Sequence, residues 1–88
     1  MVDLSKLETA DDLALMSLWW EVCEDIGMNS TKKQAARVNW IGIGSRKDVL
    51  RGGLIAYRDA KDDAGREAAL LGIVDTYDAD CRREQSAQ

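Results

Sequence analysis

The sequence predicts an all-α fold: a small bundle of about four helices in one domain over residues 1–88, the last two forming either a close-packed hairpin or one long helix. Three observations predict it. The chain has no proline and no phenylalanine, and 32% of its residues are charged. Proline breaks helices, whereas Ala, Leu, Glu, Lys and Arg form them. Apolar residues recur at three- and four-residue spacing, the period of a helix face. Glycine, serine and threonine punctuate the gaps between those stretches, where helices start and stop. A hydrophobic content of 45% supplies a core and is too high for a disordered tail.

The first helix is expected from about Asp11 to Ile26. Thr9 is its expected N-cap, with Asp12 completing a capping-box spacing, and Gly27 is its left-handed terminator. Leu15, Trp19, Val22 and Ile26 make one apolar stripe, and Leu13, Met16, Trp20 and Cys23 make a second. Together they exceed the usual apolar third of a helix surface. Such a helix is either central to the fold or part of an interface.

The second helix starts after Asn29-Ser30, with Thr31 and Gln34 at capping-box spacing. Ala35, Val38 and Ile41 are expected to point inward, and Gly42-Ile43-Gly44 to stop the helix. The third opens with Ser45, with Asp48 again at capping-box spacing. Val49, Leu50, Gly53, Leu54 and Tyr57 share its inner face. The fourth runs from about Gly65 to Arg83 with Leu70, Ile73, Val74, Tyr77 and Cys81 on its apolar face, and the tail is expected to fray from about residue 84. Between the third and fourth, Lys61-Asp62-Asp63 is either a tight turn or part of one long helix. In the hairpin reading, Gly52, Ala56 and Ala60 face Gly72, Ala68 and Ala64, so that small residues let the two helices approach closely.

Charge is segregated along the chain. Residues 1–30 carry one basic and seven acidic side chains, residues 59–88 carry four and eight, and residues 31–58 carry seven basic against Asp48 alone. The basic set is Lys32, Lys33, Arg37, Arg46, Lys47, Arg51 and Arg58. Lys47, Arg51 and Arg58 fall on one stripe of the third helix, while Lys33 and Arg37 form an i,i+4 pair close to Trp40. A basic stripe beside an aromatic suits phosphates or an acidic protein surface. The internal alternative is that the acidic ends fold against the basic middle and neutralise it.

The string Gly42-Ile43-Gly44-Ser45-Arg46 resembles the turn of a helix-turn-helix, with Ala35-Ala36 on the preceding helix where that motif favours a small residue. The resemblance covers about 20 residues. It implies a DNA reader over residues 31–58 with Arg46, Lys47 and Arg51 at bases or phosphates. The sequence departs from the pattern at three points. Gly44 is an extra residue in the turn, Asp48 falls at an inward position, and Gly52 stands where a bulky apolar residue is usual.

Catalytic equipment is sparse. There is no histidine, the commonest general base and metal ligand. Gly42-Ile43-Gly44 lacks the lysine and preceding strand of a phosphate loop. Glu21, Glu24 and Asp25, and Asp75 with Asp78, are carboxylate pairs of the kind that hold magnesium, but solvated helix faces produce the same spacing. No cofactor and no metal are expected. Cys23 and Cys81 lack C-x-x-C spacing and read as reduced thiols on apolar faces. With no signal-peptide pattern and no apolar run long enough for a bilayer, the expected location is cytoplasmic.

These features point to a small non-enzymatic regulatory or inhibitory protein that binds a protein target. Trp19 and Trp20 are its candidate interface residues, because tryptophan and arginine dominate binding hot spots. A homodimer through the first helix or the small-residue hairpin is a further expectation. Short products of phages and mobile elements often act this way, an analogy of size and composition alone. The alternative reading is the helix-turn-helix regulator.

Overall fold

A computed structural model describes residues 2–86. Its helices are α1 (Asp12–Asp25), α2 (Thr31–Val38), α3 (Trp40–Gly44), α4 (Lys47–Asp59) and α5 (Asp63–Ser86), with no strand among the described residues. The all-α bundle is therefore the fold. The described residues extend over 40 × 30 × 19 Å.

The segment before α1 is not a loose leader. Leu4 and Leu7 are buried in the core, and the chain around them is folded by turns. Asp3 accepts hydrogen bonds from the Ser5 backbone N–H (3.1 Å) and hydroxyl (2.7 Å). The N-cap of α1 is Asp11, not Thr9: its carboxylate accepts from the Ala14 N–H at 2.8 Å. Thr9 is occupied by the preceding turn, its hydroxyl directed to the Lys6 carbonyl at 3.4 Å. Gly27 has φ +75°, the left-handed conformation that ends α1 where a side chain would be strained.

The second expected helix is two helices. Ser30, not Thr31, caps α2 by accepting from the Lys33 N–H at 3.2 Å, and Gln34 Nε2 donates to the Met28 carbonyl. At Asn39 the backbone leaves the helical path (φ −102°, ψ 20°), and its side chain donates to the Ala35 carbonyl at 3.0 Å. The chain then restarts as α3. Val38, which α2 turns away from the face of its buried Ala36, and Ile41, which follows the break, are 77% and 63% exposed rather than inward. Ala36 and Ile43 take the buried positions, and Ala35 is half-buried. Gly42-Ile43-Gly44 does not stop the helix but forms most of α3.

Ser45 continues the helical backbone of α3, and its hydroxyl donates to the Gly42 carbonyl, so α4 starts at Lys47 without a side-chain cap. Leu50 and Leu54 of α4 are buried with Leu70, Ile73 and Val74 of α5. The chain turns back between these helices. Ala60 is extended, and Asp62 accepts from the Gly65 N–H at 2.7 Å to start α5.

The hairpin is present, but its close approach lies one residue away from the expected stripe. A Cβ on Gly53 would overlap Cγ1 and Cδ1 of Ile73, whereas Gly52 and Gly72 face open space. Ala56, Ala64 and Ala68 are exposed as well. The apolar stripe of α4 must face the core, and Gly53 lies on that stripe while Gly52 lies outside it. Helix α5 carries on through Ser86, past the point where fraying was expected; Ala87 and Gln88 lie outside the described residues. No helix among the described residues is long and apolar enough to cross a membrane.

Candidate protein-binding groove

The two adjacent tryptophans of α1 have different fates. Trp19 is fully buried, and its indole N–H donates to the Trp40 carbonyl at 3.0 Å. It is a core residue and has no surface to offer a partner, which corrects its place among the interface candidates. One residue along a helix turns the side chain by about 100°, so Trp20 emerges beside it. Trp20 packs against the Trp40 ring with centroids 4.7 Å apart and planes tilted by 45°. The separation lies within the range of about 4.5–7 Å for favourable aromatic pairs.

These two rings line a surface groove of about 600 Å³ together with Leu13, Met16 and Ser17 of α1. Leu13, Met16 and Trp20 follow at i, i+3 and i+7, so one stripe of α1 forms one wall and Trp40 of α3 the other. Leu13 is 77% exposed. Met16 packs tightly on Gly44, where a Cβ would overlap its sulfur. One end of the groove is closed by Asp12 and Lys47, 3.6 Å apart. At the other end Glu21 leads into a second, adjoining depression lined by Trp20, Glu24, Asp25 and Val2.

The basic residues are placed quite differently. Arg58 donates to both carboxylate oxygens of Glu8 (2.7 and 2.9 Å), to the Leu4 carbonyl and to Asp59. Arg51 donates to the carbonyls of Leu7 and Ala10. Arg46 lies over the Tyr77 ring at 4.7 Å, donates to the Gly42 carbonyl and pairs with Glu84 and Asp80. Lys32 sits against Asp75 with Asp78 at 4.0 Å, and Lys33 lies 3.7 Å from Glu67. Arg37 has no ion pair among the described residues and is half-buried near Cys23. Of the eight residues taken from the basic middle as a binding surface, only Trp40 and Lys47 border the groove.

Titration reflects these contacts. The hydrogen bonds from Arg58 pull the Glu8 carboxyl down to about 2, and Glu8 in turn raises the arginine. The hydrogen bond to Asp75 raises Lys32. Burial pushes the Cys23 thiol up to about 12, so it is neutral and unreactive. Tyr77 is raised chiefly by its hydrogen bond with Cys81.

The carboxylates singled out in the sequence do not act as one group. Asp75 and Asp78 hold Lys32, whereas Glu21, Glu24 and Asp25 are exposed and make no ion pair among the described residues. No three His, Cys, Asp or Glu side chains gather as a metal site among the described residues. The sequence offered a signal for the groove in the excess width of the apolar surface on α1. It did not indicate that Trp40 would close it, because that contact joins residues 20 positions apart.

No protein-family model, no curated protein and no solved structure matches the chain.

Proposed function

We propose that this chain is a small regulatory protein that acts by binding a protein target through the α1–α3 groove. The carrying observation is the Trp20–Trp40 pair, set in an open apolar groove beside a leucine that folding leaves 77% exposed. A leucine left in water forgoes about 1.5–3 kcal/mol of burial, and a partner that covers it recovers that energy. Tryptophan is among the residues most enriched at interface hot spots. The sparse catalytic equipment and the two free cysteines fit a binding protein of the cytoplasm.

The DNA-reading alternative gains no support from the geometry. Arg46, Lys47 and Arg51 are all held by groups of the chain itself, and the expected turn is helix α3.

A photo-crosslinking amino acid placed at Leu13, and at Ala68 on α5 as a control, tests the proposal in cells. A discrete protein adduct at Leu13 and none at Ala68 is the expected result. Equal labelling at both sites, or no adduct at Leu13, overturns it. So does salt-sensitive binding to duplex DNA that is lost when Arg46, Lys47 and Arg51 are changed to glutamate.

A further inference from the structure

We infer that the occupant of the groove is an amphipathic helix whose apolar stripe is edged by lysine or arginine. This rests on the reading of the groove as a protein-binding site and adds the chemistry of the partner.

The argument starts from the charges that folding leaves over. Six of the seven cations of residues 31–58 are engaged by carboxylates or backbone carbonyls. Glu21, Glu24 and Asp25 make no ion pair among the described residues; Glu21 borders the groove, and Glu24 and Asp25 line the depression that adjoins it. Their position is unfavourable for the isolated chain. They occupy the C-terminal end of α1, where the helix dipole is negative, and no basic residue lies in the last turn. A helix end tuned only for stability would carry cations there. A cationic partner edge removes the conflict, since opposite charges across an interface fix register and speed association.

The same charges disfavour a second copy of this chain. Two grooves face to face would bring together the carboxylates of Asp12, Glu21, Glu24 and Asp25 from each copy against one lysine, Lys47, from each. The shape of the partner follows from the walls. There is no strand among the described residues to which an extended peptide could add, and a groove alongside a helix is the setting in which amphipathic helices dock. From Asp12 to Glu21 the wall rises about 14 Å, at about 1.5 Å per residue, which matches two to three turns of a partner helix.

The test is affinity selection from a displayed library of helical 18-residue peptides, with the wild type as bait and Leu13→Asp as the counter-bait. Winners with apolar residues at i, i+3, i+4 and i+7 and with Lys or Arg beside them are expected. For the best winner, Glu21→Gln/Glu24→Gln/Asp25→Asn should weaken binding at least about tenfold at low salt, and less at 0.5 M salt. The same triple variant should keep or raise its Tm, which separates lost recognition from lost folding. Winners with neutral or acidic edges that still need Leu13 would overturn the partner chemistry and leave the groove reading intact. No winners, or winners indifferent to Leu13→Asp, would overturn both. Concentration-dependent dimers abolished by Leu13→Asp would assign the groove to a second copy and overturn the inference.

Discussion

The outer face of α4 and the groove on α1 were both marked by the sequence as surfaces for a partner, and folding treats them in opposite ways. On α4, Arg51 and Arg58 clasp the segment before α1, holding the carbonyls of Leu4, Leu7 and Ala10 and the carboxylate of Glu8. Lys47 reaches Asp12, and Arg46 reaches Asp80 and Glu84. On α1, Leu13 and Trp20 meet only part of a cover, and three carboxylates beyond them make no ion pair among the described residues. Charge segregated along a chain is therefore poor evidence of a charged surface: the acidic ends and the basic middle find each other. What survives the pairing is the better guide to where a partner sits.

The largest test of this contrast compares the buried Trp19 with the exposed Leu13. Trp19→Ala should destabilise the protein by about 3–5 kcal/mol, as for other buried aromatics, and lower Tm by tens of degrees in thermal circular dichroism. Leu13→Asp should stay within about 0.5 kcal/mol of wild type. A large loss at Leu13 would show that its side chain contributes to the core.

The adjacent glycines of α4 sharpen the same point on a smaller scale. Gly53→Ala should destabilise by about 1–3 kcal/mol, because the added Cβ has to displace the stiff, buried Ile73 side chain. Gly52→Ala, facing open space, should stabilise by about 0.5–1 kcal/mol through helix propensity alone. Equal effects at the two positions would contradict the observed face of α4.

Arg51→Met keeps the length of the stem but removes the donors to Leu7 and Ala10. A loss of about 1–2 kcal/mol is expected, with faster amide exchange concentrated in residues 4–10. Uniform acceleration across all helices would mean that the segment is not a separate element.

The smallest effect is a pH dependence. Glu8 is held below its ordinary value of 4.5, at about 2, chiefly by the hydrogen bonds from Arg58. Its contribution is complete above pH 4.5 and is lost as pH falls through about 2. Glu8→Gln should flatten stability against pH in that window: its loss is fully present at neutrality and disappears below about pH 2, and it is small because the pair is exposed and screened.

Much of the bundle was legible because helical periodicity is a local property. The apolar runs of α1, α4 and α5, the terminator Gly27 and the buried set Leu15, Val22, Leu50, Leu54, Leu70, Ile73 and Val74 all follow from spacing within one helix. Capping was less legible. Thr9, Thr31 and Ser45 are each chemically fit to cap, but neighbouring Asp11 and Ser30 hold two of the positions and the path of α3 leaves Ser45 none.

By itself, then, the sequence determined the helical class, the approximate spans and most of the core, since these depend on residues three and four apart. Tertiary structure decided which tryptophan was buried, which glycine faced α5, and which charges were cancelled. Each of those outcomes depends on contacts between residues tens of positions apart, and a period along one helix does not specify what lies across from it.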